Sequence, residues 1–252
     1  MRKLENKTAL VTGATSGIGK ATAADFITNG AKVIITGRHK ETVEETVKEL
    51  GESASGIVSD AGKMSDLKQL REQTEAIYPS LDILYVNAGI GKYAPIELID
   101  EKHFDELFNI IVKGTLFTVQ QLLPLMKRGS AIILNTSIVT EIGMPNSAIY
   151  SAAKAAVQSF LKTFAAELAP KGIRINAVSP GPIETNYFQR SNLTLEQYEQ
   201  FKASFAPQVP LARFGQPEEV AKVVSFLASD ESSFMHGSEV FVDGGFPKIR
   251  VS

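Results

Sequence analysis

The sequence predicts a doubly wound α/β fold, in which a parallel sheet of about seven strands carries helices on both faces. Two observations point to it. Short apolar or β-branched runs recur along the whole chain, as strands buried on both faces require. Stretches with helical spacing lie between them at the length of β-α-β units, and such units connect by right-handed crossovers into a parallel sheet.

The strands are expected at Thr8–Thr12, Lys32–Thr36, Ser55–Ser59, Ile83–Val86, Ala131–Thr136, Arg174–Val178 and Glu239–Val242. The first helices fall at Ile18–Asn29, Lys40–Leu50 and Lys63–Tyr78, with Asn29-Gly30 and Gly51 where helix C-termini stop. A long helix is expected from about Asp100 to Lys127, with Pro124 kinking its last turns, and another from about Ser147 to Ala169. The segment Pro180–Gln216 reads as irregular and is rich in Phe, Tyr and Pro, which suits a lid or binding loop. No linker, charge block or internal repeat divides the chain, so residues 1–252 are expected to form a single domain.

Composition narrows the function classes. Hydrophobic residues make up 44% and charged residues 21% of the 252, as in a protein able to bury a sizeable core. A formal charge of -2 gives no reason to expect a nucleic-acid or anionic-membrane partner. There are no cysteines, which excludes disulfides, thiolate metal sites and cysteine nucleophiles. The three histidines, His39, His103 and His236, lack metal-ligand spacing, so no metal is expected. The polar start Met1–Lys7 and the lack of any membrane-length apolar run predict a cytoplasmic protein.

After the first strand comes Thr12-Gly13-Ala14-Thr15-Ser16-Gly17-Ile18-Gly19, opening a helix. Glycines there let the backbone approach a pyrophosphate, and N–H groups at the helix N-terminus receive its charge. The spacing is G-x-x-x-G-x-G, weak alone, and its position in the first βαβ unit strengthens it. At the end of the second strand, NAD enzymes place an acidic side chain for the ribose hydroxyls. This chain has Gly37-Arg38-His39-Lys40 instead. A guanidinium suits a 2′-phosphate, which favours NADP(H) over NAD(H); the alternative is a solvated basic loop.

Tyr150 and Lys154 stand four residues apart on a helix, hence on one face. A phenol is a poor base near neutrality, and a nearby cation favours the phenolate. Ser137, thirteen residues before Tyr150 at a strand end, offers a hydroxyl to polarise a carbonyl or orient an alcohol. It has no histidine partner at a useful spacing, so it does not read as a nucleophile.

Taken in order, Thr12–Gly19, Asp60, Asn87-Ala88-Gly89, Ser137, Tyr150–Lys154, Pro180-Gly181 and Asp243-Gly244-Gly245 resemble the short-chain dehydrogenases/reductases in their compact single-domain form. The resemblance covers essentially the whole chain and implies a Rossmann-type fold. It implies Ser137, Tyr150 and Lys154 as catalytic residues. It also implies a cofactor site at Gly13, Thr15, Ser16, Gly17, Ile18, Gly19, Arg38, Asp60, Ala61, Asn87, Ala88 and Gly89, continued by Pro180, Gly181, Ile183 and Thr185. Tyr150 and Lys154 reach the cofactor as well, and Asp60 would bond the adenine. Family members usually assemble as homotetramers, with helices near 100–127 and 149–169 forming one interface; Phe104, Leu107, Phe108, Phe160 and Phe164 suit that, and core packing explains them equally well.

One position departs from the family. Many members carry an asparagine three residues before a glycine on the long helix, supporting a water that relays protons to the lysine. Lys113-Gly114 aligns Ile111 there, and Asn109 lies about 200° away around a regular helix. Substrate contacts are expected from a loop at about 183–210, with Ile90, Met144, Tyr187, Phe188 and Phe205 lining an apolar pocket. Such a pocket suits a hydrophobic ketone or the matching secondary alcohol; the aromatics could equally anchor the loop. A 3-oxoacyl-(acyl-carrier-protein) reductase is an alternative, and a weakly catalytic cofactor-binding sensor is another.

Overall fold

The computed structural model describes residues 2–185, 194–246 and 249. Seven parallel strands form one sheet in the order β3-β2-β1-β4-β5-β6-β7. They are β1 Thr8–Val11, β2 Lys32–Gly37, β3 Ala54–Val58, β4 Leu81–Val86, β5 Met126–Asn135, β6 Arg174–Pro180 and β7 Glu239–Val242. The first three strands progress outward to one side of β1, and the chain then returns to place β4 on its other side. That reversal opens a crevice at the carboxyl edge, where open α/β sheets bind ligands.

Because side chains alternate across each strand, the sheet has two apolar faces. On one, Leu10, Ile34, Leu84, Ile132 and Ile175 pack under Leu67 and Leu70 of α3 (Met64–Ile77), Leu107 of α4 (Glu101–Leu107), Val119 of α5 (Gly114–Leu122) and Leu161 of α6 (Ala148–Leu168). On the other, Val11, Ile35, Tyr85 and Ile133 meet Phe26 of α1 (Gly17–Thr28) and Val220, Val224 and Leu227 of α8 (Pro217–Ala228), with Val47 of α2 (Lys40–Leu50) alongside. Among the described residues, no helix is long and apolar enough to cross a membrane.

Three expectations need correction. The long helix is broken: α4 passes into a π-helical turn, Phe108–Lys113, before α5, and a 3₁₀ turn at Leu123–Leu125 then ends it. Pro124 therefore terminates the helix instead of kinking it, and Met126 and Lys127 already belong to β5. The segment Pro180–Gln216 is not wholly irregular, since it holds α7 (Leu195–Phe205), started by a reciprocal cap between Thr194 and Gln197. Helix α8, for which no element was expected, has Pro217 in its first turn and a second such cap between Gln216 and Glu219.

Phe26 is fully buried where α1 meets α8. Phe26→Ala should lower the unfolding free energy by about 3–5 kcal/mol, through lost apolar transfer and the cavity left behind. Urea unfolding followed by circular dichroism reads this directly, and a change below about 1 kcal/mol would mean that the two helices close over the gap.

Candidate active site

The glycine turn is shaped by close approach. Gly13 adopts φ 62°, and a Cβ on it would lie 2.8 Å from the Ala88 Cα. A Cβ on Gly19 would lie 2.5 Å from the Gly13 carbonyl oxygen and 2.6 Å from Asn87 Nδ2, so α1 sits directly on the end of β4. No acidic residue occupies the first turn of α1, and the Ser16 side chain makes no capping hydrogen bond. A pyrophosphate fits such a helix N-terminus, since the donors and the dipole favour an anion and no carboxylate opposes it.

The remaining cofactor candidates gather around this turn. Thr15 touches the end of β2, its Cγ2 lying 2.5 Å from where a Gly37 Cβ would stand. Arg38 follows at once, exposed and, among the described residues, without an ion pair or hydrogen bond. Asp60 Oδ1 accepts from the Gly62 N–H at 2.9 Å at the end of β3, and the Ala61 carbonyl abuts Gly114 on α5. Asn87 ties β4 to β1: Nδ2 donates to the Thr12 and Gly13 carbonyls at 3.0 and 3.1 Å, and the Asn87 and Ala88 N–H groups donate to Thr12 Oγ1. Gly181 donates to the Val242 carbonyl at 2.9 Å just after Pro180, and Ile183 bridges Gly215. Thr185 Cγ2 lies 3.3 Å from the position of a Gly17 Cβ, which brings this segment over the glycine turn.

Ser137 follows β5, buried, with its Oγ accepting weakly from the Val139 N–H at 3.4 Å. Tyr150 lies in the first turn of α6, half-buried against the α3–α6 core. Lys154 comes one turn later with its Nζ 5.9 Å from the centre of the Tyr150 ring. Lys154 is only 4% exposed and donates to the Asn135 carbonyl at 2.7 Å. Burial disfavours its charged form and pushes its pKa from the ordinary 10.5 down to about 8. The strand end, the first turn of α6 and the glycine turn thus meet at the carboxyl edge of the sheet.

Ile111 is buried beside the lysine. A Cβ on Gly89 would lie 3.8 Å from Lys154 Nζ and 3.9 Å from Ile111 Cγ1, so both border the same glycine. The π-helical turn changes the angular argument about Asn109, since i→i+5 winding is wider than an α-helix. The outcome is the same: Asn109 Oδ1 is engaged by Lys113 Nζ in an exposed pair.

The pocket candidates are less united. Ile90 packs on the α3–α6 core and Met144 lies in the loop before α6, its carbonyl accepting from Ser147 Oγ at 2.6 Å. Phe205 packs against Phe201, Phe214 and Phe246 in tilted and edge-on contacts, with ring separations of 5.6, 5.8 and 5.3 Å, a cluster that anchors α7. Tyr187 and Phe188 lie outside the described residues. Among the described residues Tyr93, which the sequence reading did not single out, meets Tyr150. Among the described residues, no group of three or more His, Cys, Asp or Glu could hold a metal ion.

Comparison with known proteins follows the same residues. A family model described as enoyl-(acyl carrier protein) reductase matches residues 13–247. The oxidoreductase asL5 of Sarocladium schorii is 41% identical over 99% of each chain. The 3-oxoacyl-[acyl-carrier-protein] reductase FabG of Thermotoga maritima is 39% identical over 96% of this chain and 98% of that one. The chain belongs to the short-chain dehydrogenase/reductase family. A crystal structure of a Brucella melitensis member, described as a glucose/ribitol dehydrogenase, superposes with a TM-score of 0.90 at 31% identity, covering 96% and 97% of the two chains. The protein is accordingly a nicotinamide-dependent oxidoreductase with the Rossmann-type fold of that family.

Two roles at the carboxyl edge escaped the sequence reading. Asn135 supplies a main-chain acceptor to Lys154 and a side-chain donor to Asn87 Oδ1 at 3.1 Å. Thr12 supplies the hydroxyl that receives two N–H groups of the Asn87 turn. An acceptor carbonyl has no side-chain signature, and Thr12 reads as the first residue of the glycine turn with no role for its hydroxyl.

Lys154 yields a prediction about stability. Between pH about 8 and 10.5 the unfolded chain carries a proton on this lysine that the folded chain has lost. Stability therefore rises with pH through that window, and Lys154→Met lacks this contribution. The difference in unfolding free energy, wild type minus Lys154→Met, should grow from pH 8 to 10.5 in urea titrations. A flat difference would show that the buried lysine keeps its ordinary pKa.

Proposed function

We propose that the protein is an NADP(H)-preferring reductase of hydrophobic ketones, or dehydrogenase of the matching secondary alcohols, with Tyr150 as its acid/base. The single observation that carries this reading is Lys154 buried one turn from Tyr150, its Nζ 5.9 Å from the phenol ring. When bound, the nicotinamide supplies or accepts the hydride. In the reducing direction the Tyr150 hydroxyl donates a proton to the substrate oxygen, and in the oxidising direction it takes that proton back. Ser137 Oγ–H donates a hydrogen bond to the same oxygen and holds the carbonyl beside the tyrosine. The Lys154 ammonium favours the ionised phenol while charged and is oriented by the Asn135 carbonyl.

The glycine turn Gly13–Gly19, Asp60-Ala61, Asn87-Ala88-Gly89 and Pro180–Thr185 form the cofactor cradle in this reading. Arg38 takes the 2′-phosphate, supported by its exposure at the end of β2 and its lack of a partner among the described residues. The chain works as one cytoplasmic domain, with the segment at about 183–210 over the substrate. It assembles as a homotetramer, one contact using Phe104 stacked on Phe108 at 4.3 Å and Phe160 on Phe164 at 5.2 Å.

The 39% identity with a 3-oxoacyl-[acyl-carrier-protein] reductase favours a second reading, an acyl-carrier substrate. Docking an acidic carrier needs free cations at the cleft. Arg213, near the Ile183 bridge, is instead engaged by both Glu219 carboxylate oxygens at 2.7 and 2.8 Å. Lys127 and Arg128 sit at the start of β5, the opposite end of that strand from Ser137. The free ketone is therefore the preferred substrate class.

Tyr150→Phe should leave NADPH affinity, read by fluorescence titration, within about twofold and remove turnover by at least about a hundredfold. Substantial residual turnover would sink the acid/base assignment. Arg38→Asp should reverse the NADP/NAD preference in kcat/KM by at least about tenfold, the scale of one charge-assisted contact. No change would leave Arg38 as a merely solvated residue.

A further inference from the structure

We propose that Tyr93 is a specificity-determining residue, whose ring forms the wall of the cleft that receives an aromatic group flanking the reacting carbonyl. The inference deepens the reading of Tyr150 as the acid/base of a ketone reductase and rests on it. Tyr93 and Tyr150 meet edge to face, with ring centres 5.6 Å apart and planes at 65°. The Tyr150 ring is also approached by Lys154 Nζ, 5.9 Å from its centre. The tyrosine pair is not a core pair: Tyr150 packs on the α3–α6 core, whereas Tyr93 is 37% exposed.

Both residues flanking Tyr93 are tied to neighbouring elements. Lys92 Nζ binds Glu106 Oε2 at 2.7 Å and ties the preceding residue to α4. The Ala94 N–H donates to the Asn146 carbonyl at 2.9 Å and ties the following residue to the loop that leads into α6. Asn146 adopts φ 65°, a left-handed turn that asparagine tolerates, and Met144 lies two residues before it. The loop leaving β4 and the loop entering α6 are thereby joined, with Tyr93 beside the junction, Ile90 three residues before it in the first loop and Met144 in the second.

Chemistry then selects the ligand group. A large aromatic side chain kept partly in water at the mouth of a polar site loses its remaining exposure when a flat apolar group covers it. Ring-on-ring contact adds an orientational preference beyond burial, worth about a three- to tenfold change in affinity. An oxygen held by Ser137 and Tyr150 brings one substituent of its carbonyl carbon to the Tyr93 side. A planar aryl substituent fits that wall better than a puckered saturated one of the same carbon frame.

The test compares 1-tetralone with 1-decalone, an aromatic and a saturated bicyclic ketone, as substrates of the full chain with NADPH. In Tyr93→Leu, the ratio of kcat/KM for 1-tetralone over 1-decalone should fall about three- to tenfold, mainly through KM, while Tyr93→Phe keeps the wild-type ratio. An equal loss on both ketones, with a displaced pH profile of kcat, would overturn the proposal and leave Tyr93 as packing for Tyr150.

A second arm does not depend on turnover. The chain contains no tryptophan, so Tyr93→Trp places a single indole at the wall. With NADP⁺ present, 1-tetralone should quench its emission saturably and 1-decalone at the same concentrations should not. Absence of saturable quenching, or equal quenching by both, overturns the proposal. Selective quenching in a protein that reduces neither ketone would uphold the wall and overturn the ketone-reductase reading instead. Turnover of both ketones with an unchanged ratio would do the reverse.

Discussion

The carboxyl edge of the sheet hangs on one amide side chain. Asn87 donates from Nδ2 to the carbonyls of Thr12 and Gly13, and its Oδ1 accepts from Asn135 Nδ2. The Asn135 carbonyl in turn receives Lys154 Nζ. A continuous polar chain therefore runs from the glycine turn on β1, across the end of β4, to the end of β5 and the lysine of α6. It is possible because the topology puts β4 directly beside β1 and β5 directly beside β4. A network of this kind fixes geometry more than it adds stability, and here it leaves the buried Asn135 Oδ1 without a partner among the described residues.

The close approach of α1 follows from the same constraint. Asn87 Nδ2 reaches two carbonyls only if nothing projects from the helix, and the hydrogen at Gly19 leaves that room. Gly13 gives the same freedom on the other side of the turn, against Ala88. The glycines that let a phosphate approach are thus also the glycines that let β4 close on β1. One sequence feature serves binding and folding together, so substitutions there disturb both.

What the sequence reveals about this protein follows from what is local. All seven strands are legible, because the central ones are short runs buried on both faces and the edge strands β3 and β7 keep a β-branched or apolar core of residues. The start of β5 is hidden: Lys127, Arg128 and Gly129 are exposed and look like a turn, yet Met126 pairs with Leu81 and Ser130 Oγ donates to the Leu81 carbonyl. Helix α7 is masked by its aromatic composition, although Thr194 and Gln197 carry the cap signature that announces it. The π-helical turn at Phe108–Lys113 has no sequence period to read. Tyr150 and Lys154 are legible because helical spacing puts them together. Tyr93 reaches Tyr150 only through the fold, and nothing in the spacing of the two residues marks the contact.

Burial has two opposed effects on Lys154. A dry surround strengthens the attraction between its ammonium and an ionised phenol nearby, since charges interact more strongly where the effective dielectric constant is low. The same surround penalises the ammonium itself and brings its pKa to about 8. Ile111 tilts the balance, because an apolar side chain beside Gly89 neither hydrates the lysine nor offers it an acceptor. The Asn135 carbonyl is the hydrogen-bond acceptor that holds Nζ. The cation that would lower the cost of ionising Tyr150 is consequently present in full only below about pH 8. Above that the lysine releases its proton, and the electrostatic help that burial strengthens is withdrawn by the same burial.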